Sequence, residues 1–194
     1  GRQRVHTFSS MMCWAACDRL AKIAARLGEA ERSERWRQVA EKIRNTILDK
    51  AWDPEQESFT ESFGRPEMDA SLLTMHDLGF IEADDPRFIS TVDCIGRHLR
   101  RGQHMFRYDA ADDFGEPENA FNICTFWYIE ALAAIGRRDE ARELFEPLPE
   151  KMRTMATSSQ FESHWTRASP PSVSLSVPLH VKISRFVEAR PPRL

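Results

Sequence analysis

The sequence has 194 residues, of which 41% are hydrophobic and 29% charged, and its formal net charge is −3 at pH 7. These proportions are typical of a single globular domain with a sizeable core. The small negative charge favours neither nucleic acid nor an anionic membrane as a partner, and no apolar run reaches the roughly 20 residues that a membrane-spanning helix needs.

The first fifty residues predict a helical hairpin. Apolar and small side chains recur every three or four positions over residues 8–27, and Gly28 follows where helices commonly end. A second helix is predicted from Ser33, whose hydroxyl can cap a helix N-terminus, to a turn at Pro54, through which a helix cannot continue.

Shorter elements are predicted after this hairpin. Aromatic and polar residues alternate over residues 57–64, which indicates a short extended segment or hairpin arm. Asp69 then opens a short helix that closes at Gly79. Asp85 caps a longer helix, with Pro86 in the first turn, where proline is tolerated.

The last two predicted helices repeat the opening arrangement. One covers about residues 119–135 and ends at Gly136, and the other starts near Asp139. A long apolar helix, a glycine, a short link and a more charged helix thus occur at residues 8–51 and again at 119–150. Such hairpins bury one helix of each pair, so the predicted fold is all-α, an array or toroid of paired antiparallel helices.

The cysteines are interpreted as buried free thiols in a reducing, cytoplasmic compartment. All of them fall in apolar helical patterns, at Cys13, Cys17, Cys94 and Cys124. Since no histidine or cysteine pair stands at metal-ligand spacing beside them, we predict neither a metal site nor a cofactor.

The stretch 106–127 carries the strongest functional signal. Arg107 and Tyr108 stand directly before a run of carboxylates, which leads into an apolar, aromatic-rich helix. The carboxylates are Asp109, Asp112, Asp113, Glu116 and Glu118. A polar rim over an apolar floor suits a sugar, whose hydroxyls need charged partners and whose ring faces need apolar surface. The alternative is that carboxylates before a helix serve only its N-terminus.

Six stretches, taken together and in order, resemble glycoside hydrolase family 15, the glucoamylase-like enzymes and their bacterial trehalase-like relatives. They are residues 1–12, 59–64, 68–73, 79–88, 106–108 and 118–127. The resemblance implies an (α/α)6 toroid, of which the predicted helices form about half. It also implies hydrolysis of α-glucosidic bonds with inversion. That reaction requires two carboxyl groups about 6.5–9.5 Å apart, one acting as the general acid and the other as the general base.

The resemblance assigns no catalytic residue to this sequence. The family's general acid lies in a Trp-Glu motif before the segment that matches the start of this chain. The general base lies in a Leu-Leu-(Ala/Ser)-Glu segment that this chain lacks, because the match departs at Thr154. We therefore expect residues 1–153 to be part of a catalytic domain, inactive alone, and residues 154–194 to be a non-matching, poorly ordered tail.

Sugar binding is the role that the resemblance does transfer. Arg107 matches an arginine that hydrogen-bonds sugar hydroxyls, with Tyr108 in the same loop, Glu118 and Phe121 beside an inner helix, and His6 near the pocket floor. The implied ligand is an α-glucoside, either a maltooligosaccharide, a glucan or trehalose. For Arg107 the alternative is a surface salt bridge to Asp109 or Asp112, which contributes little to stability.

Two further hypotheses concern protein partners. A helical-hairpin scaffold could bind a peptide or protein in its groove, as solenoids do, without any need for Arg107 and Glu118 at a central cavity. Part of a toroid would also expose apolar inner-helix surface, which predicts self-association.

Overall fold

The computed structural model describes residues 4–110, 115 and 117–157. The helices are α1 (Thr7–Arg26), α2 (Ala30–Lys50), α3 (Pro86–Leu99), α4 (Asn122–Ala134), α5 (Arg138–Phe145) and α6 (Glu150–Thr157), with a 3₁₀ helix at Ala70–Thr74. The strands are β1 (Trp52–Asp53), β2 (Ser58–Phe59), β3 (Arg100–Arg101) and β4 (His104–Met105). The predicted all-α class is confirmed. In the described part of the chain, the strands form two short antiparallel hairpins, β1 with β2 and β3 with β4. A poorly ordered tail was predicted at residues 154–194, and residues 158–194 lie outside the described residues.

α1 and α2 form the predicted opening hairpin. Gly28 has a φ of 75°, the left-handed conformation that glycine adopts without steric cost, and it ends α1 as predicted. The prediction that Ser33 caps α2 is wrong, because α2 begins at Ala30 and the Ser33 hydroxyl donates to the backbone oxygen of Ala21 at 3.0 Å. Ser33 therefore ties α2 to α1 from within the helix.

The predicted extended segment forms the β1–β2 hairpin. Trp52 pairs with Phe59, and their rings meet edge to face at 5.1 Å. Asp53 closes the turn, because its carboxylate accepts from the backbone N–H groups of Glu55 and Gln56. The strand at residues 58–59 is shorter than the predicted segment.

The core lies where the 3₁₀ helix, α3 and α4 meet the first half of α1. Its largest fully buried side chains include Phe59, Phe80, Phe88, Leu72 and Ile95. Trp14 joins them, at 6% exposure, through an edge-to-face contact with Phe80. The element predicted between Asp69 and Gly79 is a 3₁₀ helix ending at Thr74, the form that short connecting helices often take.

The cysteine prediction is correct for two residues and wrong for one. Cys94 and Cys124 are buried and Cys17 is half-buried, but Cys13 is exposed. Cys13 lies toward the outward side of α1, which also exposes Met12, Leu20 and Ile23, and Leu27, just after the helix, is 70% exposed. Because α1 is apolar on both sides, its periodicity does not show which side is buried, and self-association remains a prediction. Within the described ranges, no helix is long and apolar enough to cross a membrane.

The predicted cap of α3 is confirmed. Asp85 accepts from the backbone N–H of Arg87 at 2.9 Å, and its carboxylate also accepts from the guanidinium of Arg87 at 3.1 and 2.7 Å. Pro86 occupies the first turn, where its missing N–H leaves no hydrogen bond unmade.

We expect Asp85→Ala to lower the free energy of unfolding by about 1 kcal/mol near neutral pH, the usual cost of losing an N-cap. The hydrogen bonds from Arg87 lower the pKa of Asp85, so its contribution is present above the unfolded pKa and is lost as pH falls through the folded pKa. Urea unfolding at pH 7 and at acidic pH measures both effects. The control is Asp84→Ala at the exposed neighbouring position, and an equal loss at both sites would contradict the cap.

Candidate functional site

Arg107 is anchored at two points. Its backbone oxygen accepts from the N–H of Ala70 at 2.8 Å, which seats the residue on the start of the 3₁₀ helix. Its Nε donates to both carboxylate oxygens of Asp69, at 3.2 and 3.3 Å. The alternative offered by the sequence was a surface salt bridge to Asp109 or Asp112. Among the described residues Arg107 pairs with Asp69 and not with Asp109, and Asp112 lies outside the described residues.

Asp69 performs two tasks at once. Its side chain accepts from the backbone N–H of Ser71 at 2.7 Å, which caps the 3₁₀ helix, and the same carboxylate holds Arg107. The side chain of Asp69 is 13% exposed and that of Arg107 is 38% exposed. The cationic end of the ion pair is therefore more exposed than the anionic end.

The thiol of Cys124, on α4, is close enough to Arg107 and Asp69 for their charges to affect its pKa. Burial raises the pKa of its thiol to about 12, with a lowering contribution from Arg107 and a raising one from Asp69. The thiol is therefore neutral at physiological pH, and it does not compete with Asp69 as an anionic partner for Arg107.

Two backbone contacts fasten the start of α4 beside Arg107. The N–H of Phe121 donates to the oxygen of Met105 at 3.2 Å, and the N–H of Met105 donates to the hydroxyl of Thr125 at 3.0 Å. α4 begins at Asn122, later than the predicted residue 119, because Phe121 is extended and occupies the N-cap position. Phe121 is 54% exposed, so its ring is available at the surface next to β4.

His6 lies at the start of α1 in a separate polar layer. Its Nδ1 is 3.1 Å from Glu61, and Arg4 bridges Glu61 at 3.1 Å and Glu67 at 3.4 Å. The N–H of Thr7 donates to the oxygen of Glu61. Segment 61–69 thus runs from the start of α1 to Asp69, the anchor of Arg107.

The structure brings some of the predicted site residues together. Phe121 hydrogen-bonds Met105 of β4, which Arg107 and half-buried Tyr108 closely follow along the chain. His6 instead contacts Glu61, at the start of segment 61–69. Glu118 is exposed and makes none of the contacts given above. Of the predicted carboxylate rim, Asp109 and Glu118 are described, and Asp112, Asp113 and Glu116 lie outside the described residues. The sugar-binding role of all these residues stays a prediction.

The sequence prediction missed Asp69 as a site residue. Its position before a short helix identified it as a helix cap, and the structure shows that it is one. A capping role gave no reason to expect an ion pair with a residue far along the chain. For residues 4–110, 115 and 117–157, no group of three or more histidine, cysteine, aspartate and glutamate side chains could hold a metal ion.

Comparison with known sequences identifies trehalases as relatives. The chain is 33% identical over 156 residues to a trehalase of Thermoplasma volcanium, an alignment that covers 80% of this chain and 25% of that protein. It is 37% identical over 151 residues to a trehalase of Mycobacterium tuberculosis, covering 76% and 22% respectively. The chain therefore spans about a quarter of the length of these relatives.

Comparison with solved structures supports the fold. A wild-type glycosidase and a variant of a glycosidase in complex with glucose both align with a TM-score of 0.63 at 17% identity. Each alignment covers 96% of this chain and 46% of the other. The predicted fold, antiparallel helical hairpins forming part of an (α/α)6-type toroid, is confirmed.

The family model described as glycosyl hydrolases family 15 matches residues 1–177. That match includes the motifs around Arg107 and Asp69 and most of the chain. The predicted family is confirmed, and the chain belongs to glycosyl hydrolase family 15.

Proposed function

We propose that this chain forms part of the sugar-binding wall of a trehalase-type α-glucoside hydrolase. The relatives named trehalase and the family support the reaction class. The observation that carries the assignment of the site is the arrangement of Arg107, whose Nε is held by Asp69 while the rest of its guanidinium extends toward the surface.

The geometry of Arg107 suits hydroxyl recognition. Asp69 engages Nε, and neither Nη atom donates to a residue in the described part of the chain. These nitrogens carry four N–H donors on a fixed plane, so they can donate to adjacent sugar hydroxyls in a defined direction. Each hydrogen bond from a charged donor contributes about 1.5–3 kcal/mol.

Phe121 supplies the complementary apolar surface. Its 54% exposure is unusual for a large aromatic residue at the start of an otherwise well-buried helix. In the proposed site the ring contacts the apolar face of a glucosyl unit, Tyr108 and Glu118 hydrogen-bond its hydroxyls, and His6 lies farther along the same wall.

We further propose that the chain by itself binds glucosides without hydrolysing them. The family resemblance assigned neither the general acid nor the general base to a residue of this sequence. Each proton-transferring group contributes roughly 10²–10⁴-fold to the rate, so a site that lacks both has little catalytic power.

Replacing Arg107 with alanine should weaken the binding of α,α-trehalose by roughly tenfold to 150-fold, because it removes the charged donors. NMR titration of the chain with trehalose, and separately with maltose, measures the dissociation constants. Parallel detection of released glucose tests hydrolysis, and we expect none.

The matched control is Arg37→Ala on α2, where an exposed arginine pairs with nearby Glu34. Its dissociation constant should equal that of the unmodified chain. Equal affinities of the Arg107 and Arg37 variants would contradict the assignment of the site, and glucose release by the unmodified chain would contradict the proposal that it only binds.

A further inference from the structure

We propose that Asp69 is a positioning residue that fixes the orientation of Arg107 for glucoside binding, an inference that rests on the proposed function. Asp69 would not contact the sugar. It would act by holding the guanidinium in the orientation in which the Nη atoms point away from the core.

The ion pair leaves Arg107 little freedom. Both oxygens of Asp69 accept from the same nitrogen, Nε, and the main chain of Arg107 is fixed independently by the N–H of Ala70. Asp69 in turn cannot rotate freely, because its Oδ1 also accepts from the N–H of Ser71 at 2.7 Å. A long side chain fixed before binding loses less conformational entropy when it binds.

Asp69 is also the anion on which this orientation depends. Among the described residues, the only ion pair of Arg107 is the one with Asp69, and the neighbouring thiol of Cys124 carries no charge at neutral pH. Removing the carboxylate would leave the Nε unpaired and the guanidinium free to sample other rotamers.

The competing explanation is that Asp69 matters only as the cap of the 3₁₀ helix. Asparagine separates the two roles, because it caps a helix about as well as aspartate but carries no charge to pair with an arginine. Asp85 offers a matched control, since it also caps a helix and pairs with an arginine, Arg87, at another helix start.

The experiment compares the unmodified chain with Asp69→Asn, Asp85→Asn, Arg107→Ala and the double variant at positions 69 and 107. Trehalose dissociation constants come from NMR titration, and thermal unfolding reports stability. Exchange of the Arg107 Nε–H with solvent, followed by NMR without ligand, reports directly on the ion pair.

We expect Asp69→Asn to weaken trehalose binding by about fivefold to tenfold, the cost of immobilising one long side chain, and to accelerate Nε–H exchange. Asp85→Asn should leave both the trehalose affinity and the rate of Nε–H exchange unchanged. In the Arg107→Ala background, the substitution at position 69 should cause no further loss of affinity, because an effect exerted through Arg107 disappears with it.

Three outcomes would overturn the inference. Unchanged affinity in Asp69→Asn despite faster Nε–H exchange would show that the orientation does not matter for binding. A further loss in the Arg107→Ala background would show that Asp69 acts by another route. If the unmodified chain binds no trehalose, the proposed function fails and this inference fails with it, whereas the first two outcomes leave the proposed function intact.

Discussion

Replacing Glu130 with glutamine should stabilise the folded chain by about 3 kcal/mol at pH 7 and should have little effect near pH 4. Glu130 lies on α4 between Ile129 and Ala131, which are 1% and 0% exposed. Its Oε1 is buried and has no hydrogen-bond partner among the residues that the structure describes. Burial raises the pKa of this carboxyl from 4.5 to about 8.

The sign of the effect follows from proton binding. Between the unfolded pKa of 4.5 and the folded pKa of about 8, the unfolded chain has released a proton that the folded chain retains. Stability therefore falls as pH rises through this window, by about 1.4 kcal/mol per pH unit, and levels off above it. Glutamine has nearly the same shape but no proton to lose, so the variant lacks this dependence.

Urea unfolding from pH 4 to pH 9 measures the two profiles, and they should converge at the acidic end. Glu143→Gln is the matched control, since Glu143 is exposed on α5 and should contribute no comparable slope. Parallel profiles for the unmodified chain and the Glu130 variant would contradict an unpaired, buried carboxyl at this position.

Signals that act over a few residues predicted the fold well. Gly28 and Gly136 end α1 and α4 because only glycine adopts their positive φ angles without cost, and Asp85 caps α3 through a backbone group two residues away. Ser33 shows the limit of such signals. Its hydroxyl could cap a helix locally, but in the folded chain it donates to a backbone oxygen on α1.

The site was less predictable because its key contact joins distant parts of the chain. Family resemblance identified Arg107, and the periodicity of the sequence identified Asp69 only as a helix cap. Nothing local indicates that these residues, 38 positions apart, form one ion pair. Their meeting depends on how the 3₁₀ helix packs against the end of β4, which is a property of the whole core.

The same dependence on tertiary contacts makes Gly96 a sensitive position, although it lies within α3 and has no special backbone angle. A Cβ at Gly96 would be 2.4 Å from the hydroxyl oxygen of Tyr128 and 3.1 Å from the carbon that carries it. Tyr128 is 4% exposed, so its ring has little room to move. Burial raises the pKa of its hydroxyl, and the charges of Glu140 and Arg137 also act on it. The hydroxyl therefore lies near the ion pairs that Arg137 makes with Asp93 and Glu140.

We therefore expect Gly96→Ala to lower the free energy of unfolding by about 2–3 kcal/mol through overpacking, even though alanine is intrinsically favoured over glycine in a helix by about 1 kcal/mol. Tyr128→Phe alone should cost at most about 1 kcal/mol, because it removes only the hydroxyl and leaves the buried ring in place. Combined with Gly96→Ala, the same substitution should become stabilising, because it removes the atom that clashes most severely. Urea unfolding of the four proteins in this double-mutant cycle measures that reversal of sign. If the losses of the two single variants simply add in the double variant, the packing of α3 against α4 does not require glycine at residue 96.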